Sequence, residues 1–219
     1  MKLKKIASLM LAGIMAVSML AGCKSGTTTD DTKEPDAPVA TGIVAAVNNG
    51  QNAYNTVKID FTTDSALDSA LEMAVKSEGD NAQAPAFMAT VAKLVGVNYD
   101  ANMDAVIKTD KTGTRGELVN SNVDGKVVTD LNGFKVENAL NENAAMKIAA
   151  KKINDDAVSK LKDTTFIKNT TKSGDKYADY SYAGTVSMVS VDNLDGTTDY
   201  YVAYTITKTT AVVTFNPAE

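Results

Sequence analysis

Apolar side chains along this chain recur with two different periods, three-to-four residues in its middle and two residues toward its end. From Phe61 to Lys76, Leu67, Ala70, Leu71, Ala74 and Val75 make one helical stripe, with Thr63 placed to cap it. Gly79 ends that helix, and Pro85 opens another whose Phe87, Met88, Val91, Leu94 and Val95 continue the core-facing side. Asn141 to Ile153 returns to the same period through Ala144, Ala145, Ile148, Ala149 and Ile153. Asp155-Asp156 then reads as the acidic start of a short further helix carrying Ala157, Val158 and Leu161. Ile43, Val44 and Val47 predict a short opening helix that weakens in the NNGQN stretch, and Asn102 to Lys108 a short helix or turn.

The last third of the chain alternates instead. Gly184 to Val191 places Val186 and Met188 on one face, and Tyr201 to Lys208 does the same with Val202, Tyr204 and Ile206. Asp195-Gly196 lies between them, and Asp124-Gly125 lies between Leu118-Val119 and Val127-Val128, so both pairs predict tight hairpin turns. Helices plus antiparallel hairpins predict an α+β fold, a layered α/β/α sandwich around a central, mainly antiparallel sheet.

Ahead of all this stands a different pattern. Three lysines lie within Met1–Lys5, and Ile6–Ala21 is free of charge, the order of an export signal. The apolar run is about sixteen residues, short of the roughly twenty that span hydrocarbon as a helix. Leu20-Ala21-Gly22-Cys23 follows, and it resembles the lipobox of bacterial lipoproteins, which implies cleavage before Cys23 and acylation of its thiol. The expected organisation is a lipoprotein signal peptide over 1–22, a lipidated N-terminus and flexible tether over 23–40, and one extracytoplasmic domain over 41–219. The tether, KSGTTTDDTKEPDAPVA after the cysteine, is polar, has two prolines and lacks an apolar face. The expected location is the extracytoplasmic face of a bacterial cell membrane, held there by the lipid anchor.

Composition narrows the chemistry. The formal charge is −5, and losing residues 1–22 with their three lysines makes it −8. No dense Lys/Arg patch interrupts the acidic chain, so nucleic acid is an excluded partner class. The chain has no histidine, which excludes Ser-His-Asp and Cys-His catalysis and histidine-ligated zinc. Cys23 is the only cysteine, so no disulfide forms within the chain.

The order of elements resembles the CAP domain, the cysteine-rich secretory/pathogenesis-related family also called SCP-like. Phe61-Thr-Thr-Asp64-Ser-Ala-Leu67-Asp-Ser-Ala70 resembles its L-x-x-D/N-x-x-L-x-x-A-A helix signature. Tyr182-Ala-Gly184-Thr-Val186 resembles its glycine-containing strand, and Tyr200-Tyr201-Val202-Ala203-Tyr204 its closing strand. The likeness extends from about Thr41 to Thr210 and implies an extracellular scaffold with a groove or loops that bind something. The family's cleft presents two histidines and two acids to a divalent metal; this chain has no histidine for either place, so no site residue carries over.

The remaining candidates are polar clusters. Asp192, Asp195 and Asp199 lie in one turn where oxygens would converge on calcium, against an ordinary exposed hairpin loop. Glu72, Glu137 and Glu142 are the acids from which a glycosidic acid/base pair would have to come. Six of the eight tyrosines crowd the last two strands, and Tyr180, Tyr182, Tyr200, Tyr201 and Tyr204 form a candidate contact surface for an envelope glycan, a peptide or a protein, with core packing as the alternative. No cofactor is implied. Three function classes follow: a noncatalytic cell-surface binding or interaction lipoprotein, a carrier of a small apolar ligand in a groove, and a degenerate carboxylate-dependent hydrolase.

Overall fold

The computed structural model describes residues 42–78, 84–99, 123–167 and 176–214. Cys23, the leader and tether, the 102–108 segment and Leu118-Val119 lie outside the described residues. The architecture is α+β, a six-stranded mixed sheet with helices packed on both faces.

In chain order the elements are α1 (Ile43–Asn49), β1 (Phe61–Thr62), α2 (Ser65–Glu78), α3 (Ala84–Val95), β2 (Asn98–Tyr99), β3 (Val127–Val136), α4 (Glu142–Asp156), a 3-10 turn (Val158–Lys160), β4 (Thr164–Ile167), β5 (Lys176–Asp192) and β6 (Thr198–Thr214). The spatial strand order is β1-β5-β6-β3-β2, and β4 pairs with β5. β5 and β6 pair antiparallel without a break from Lys176↔Thr214 to Asp192↔Thr198. β3 adds antiparallel to β6, and only the two-residue strands β1 and β2 join parallel. Both long strands run seventeen residues, beyond the stretches in which apolar alternation marks them, because threonine and tyrosine suit a pleated surface as well as valine does.

The sheet carries an apolar layer on each face. Toward α2 and α3 it packs Leu131, Tyr201 and Ala203 against Leu67, Leu71, Phe87, Met88 and Val91. Toward α1 and α4 it packs Phe134, Val202, Tyr204 and Ile206 against Val44, Val47, Ala145, Ala149 and Ile153. Small alanines let α4 approach closely, and Ile148, expected on its inner side, is turned outward with 39% of its surface exposed. Leu94 of α3 is likewise exposed.

Several local readings change for definite reasons. Phe61-Thr62 is a strand, not a helix entry, and the cap of α2 is Asp64, whose Oδ1 accepts from the Ala66 N–H at 2.8 Å. Asp155 and Asp156 close α4 and do not start a helix: they pair with Lys151 and Lys152 one turn back. The Asp124-Gly125 turn forms, with Gly125 at φ 71°, and it leads into β3, whose described antiparallel partner is β6.

The NNGQN stretch is a clamp. Asn48 donates from Nδ2 to the Phe61 carbonyl at 2.9 Å and accepts the Phe61 N–H at 2.8 Å. Gln51 does the same for Ile59, donating at 2.6 Å and accepting at 2.9 Å. Two side-chain amides thus occupy backbone groups at the outer edge of β1, where another strand would otherwise be needed. Phe61 packs directly on Gly184 of β5, so close that a Cβ there would meet two of its ring carbons at 2.6 Å. Replacing Gly184 by Ala is expected to lower stability by about 2 kcal/mol through overpacking of this contact. Urea unfolding followed by far-UV circular dichroism checks it, with Ala183→Gly on the exposed neighbour as the control.

Candidate functional site

The tyrosines expected as a contact surface are largely core. Tyr180, Tyr200, Tyr201 and Tyr204 are buried, and Tyr182 is half-buried with its hydroxyl donating to the Lys162 carbonyl at 2.7 Å. Tyr201 meets Phe87 edge-on in one layer and Tyr204 meets Phe134 in the other. The reason is the sheet itself: both faces are covered where these residues lie, so alternation sends odd and even tyrosines into two different cores. Burial raises the Tyr204 and Tyr182 hydroxyls well above the usual phenol range.

The acids of the β5–β6 turn are already engaged. Asp195 accepts from the Thr197 N–H and hydroxyl at 2.9 and 2.6 Å, which holds its carboxyl below the usual range. Asp192 accepts from the Thr198 hydroxyl at 2.9 Å, and Asp199 bonds Lys135 across the β3–β6 ladder at 2.6 Å. Among the described residues no group of three His, Cys, Asp or Glu is arranged to hold a metal. The glutamates are not gathered either. Glu72 sits on α2, Glu142 opens α4 on the opposite face of the sheet, and Glu137 follows β3.

One buried charge escaped the pattern. Lys208 of β6 is fully covered, its ammonium lies 4.8 Å from the centroid of the Tyr180 ring, and among the described residues it makes no hydrogen bond. Alternation made its neighbours Ile206 and Thr210 inward-facing, so its own inward position was readable from parity, but a lysine in that slot gave no reason to expect burial. Asp130, also buried, lies on the same face of the adjoining strand β3, where it pairs in register with Ile206. Desolvation pushes the Lys208 amine down to about 8, partly offset by the charge of Asp130. The tyrosine ring supplies a weak cation–π contact in place of a hydrogen bond.

Open grooves mark the surface of the described residues. One, of about 460 Å³, lies where α1 and α4 meet, along Asn49, Gly50, Met146, Lys147 and Lys151. Another, of about 400 Å³, lies between Glu72, Val75 and Lys76 of α2 and Met188–Val191 of β5. Lys208 lines neither. The second groove has a wall of helix and a floor of consecutive strand residues, an arrangement suited to holding an extended chain and lacking any paired carboxylates for hydrolysis.

No family model, curated protein or solved structure matches this chain.

The depressed amine has a signed consequence for stability. A base whose folded pKa is lowered binds its proton less readily when folded, so stability is fully present above the unfolded lysine value near 10.4 and falls as pH drops through about 8. Lys208→Met is expected to stabilise the fold at pH 7 by about 2 kcal/mol and to abolish the rise in stability between pH 8 and 10. Urea midpoints of both chains across that window check it; a variant that keeps the rise assigns it to another group.

Proposed function

We propose that this protein is a noncatalytic lipoprotein, anchored through acylated Cys23 to the extracytoplasmic face of a bacterial membrane, whose domain serves as a binding or interaction scaffold. The observation that carries the reading is the position of the only cysteine, directly after Leu20-Ala21-Gly22 and ahead of the layered domain. The two or three acyl chains of such an anchor, at about 0.8 kcal/mol per buried methylene, hold far more firmly than one. Among the described residues no helix is long and apolar enough to cross a membrane.

The distribution of side chains supports a scaffold. The aspartates of the β5–β6 turn and Glu72 are engaged in hydrogen bonds or ion pairs within the domain, and the chain has no histidine. Both grooves are open to the surface, which suits contact with a partner better than enclosure of a small apolar molecule. The CAP resemblance fits the same role, a secreted α/β/α scaffold whose metal-binding histidines are absent.

Growth of cells expressing the chain with radiolabelled palmitate tests the anchor. Label is expected in the wild type and none in Cys23→Ser, and equal labelling of the two would sink the proposal. The same cells, treated intact with an external protease, are expected to lose the domain, whereas an inward-facing domain would survive.

A further inference from the structure

Where a strand borders solvent, its outward N–H and C=O groups need a partner, and among the described residues this domain covers part of the outer side of β5 and leaves the rest without a partner strand. The relevant edge is the side of β5 opposite β6. β4 covers it over Lys176–Asp179, the Asp163 carbonyl accepts the Tyr180 N–H at 2.7 Å, and β1 covers Gly184–Thr185. β1 in turn is closed by the amides of Asn48 and Gln51. Beyond Thr185, no described strand pairs with that side of β5, although its ladder to β6 continues to Asp192.

The direction of the bare groups follows from parity. The Tyr180 N–H points to this edge, and the register with β6 runs unbroken from Lys176 to Asp192. Even-numbered residues therefore turn both backbone groups outward, and odd-numbered ones spend theirs on β6. Among the described residues no strand pairs with the outward backbone groups of Met188 and Ser190, while those of Val189 and Val191 face β6. Beside them runs the groove walled by Val75, Glu72 and Lys76, with Val189 and Val191 only half-buried at its floor. Glu72 and Lys76 pair with each other, so the wall carries no net charge.

We propose that the outer edge of β5 over Met188–Asp192 is a docking site for an extended peptide of a partner protein, which adds a strand to the sheet and seats alternate apolar side chains in the groove under α2. The proposal rests on the interaction-scaffold reading and names its partner class. A row of alternating donors and acceptors is satisfied in full only by another extended backbone, which selects a peptide over a glycan or an apolar ligand. The groove of about 400 Å³ accommodates the few side chains that one strand directs to one face. A second copy of the chain would bring its own α2 over the same edge and would have to fit a helix there.

Proline separates this edge from the ladder behind it. Ser190→Pro removes an outward N–H and keeps the β6 bonds, whereas Val189→Pro breaks them. A phage-displayed random heptapeptide library is panned against the detergent-solubilised full chain. Enriched peptides are expected to alternate apolar residues, to bind Ser190→Pro at least tenfold more weakly than wild type, and to lose binding when alternate amides are N-methylated. Ser190→Pro is expected to keep its thermal midpoint within a few degrees, and Val189→Pro to lose far more. Amide exchange of the free chain is expected to be fast at Met188 and Ser190 and slow at Val189 and Val191. Slow exchange at all four means the edge is already occupied and overturns the proposal. So does an absence of enriched peptides, equal binding to both chains, or a concentration-dependent dimer that Ser190→Pro abolishes, which gives the edge to a second copy. None of these results alters palmitate labelling of Cys23, so a failed edge and a failed lipoprotein reading stay distinguishable.

Discussion

The pairing of β5 with β6 is the constraint on which the rest of this domain depends. Its seventeen-residue strands supply both faces on which helices pack, and every other strand except β2 attaches directly to one of them. A hairpin of that length exposes far more apolar surface than it can hide by itself, so it needs a cover on each side. α2 and α3 provide one, α1 and α4 the other, and strict alternation along β6 divides Tyr201 from Tyr204 between them. The buried Lys208 is tolerated at the same spine because the strand's register fixes its direction before its charge is considered.

Polar residues do the fitting that the apolar pattern leaves undone. Asn48 and Gln51 act as backbone surrogates along β1, and Asn154 of α4 accepts from the Asn52 N–H and the Asn55 side chain at 3.0 and 2.8 Å. These bonds tie the loop between α1 and β1 to both neighbouring layers. Amides are suited to this work because each offers a donor and an acceptor in the geometry of a peptide group. The same accounting of backbone groups leaves the outer side of β5 beyond Thr185 without a described partner strand.

Much of this organisation was legible in the sequence. The three-and-four spacing in α2 and α3, the Asp195-Gly196 turn and the alternation of Val202, Tyr204 and Ile206 led to the α/β/α layering. What escaped was whatever depended on a distant partner. Phe61 looked like helix because its strand has only two residues and is defined by Gly184, more than a hundred positions away. Asp155-Asp156 looked like a helix start because acids suit either end when lysines stand one turn before them. Alternation left the tyrosines divided between a contact surface and core packing because it implies one wet face, and here both faces are dry along the middle of β6. Parity gave the direction of Lys208, but its burial and the open edge had no local signal, since both are set by neighbouring strands.

The claim that one sheet joins two apolar layers into a single cooperative body is tested most directly by urea unfolding of the full chain and of two core variants. Leu71→Ala opens the α2–α3 layer and Ile153→Ala the α1–α4 layer, each at a cost of about 3 kcal/mol. The account predicts that either variant shifts one common transition, seen at the same midpoint by far-UV circular dichroism and by tyrosine fluorescence. Two transitions, with Leu71→Ala moving only one and Ile153→Ala only the other, would contradict it.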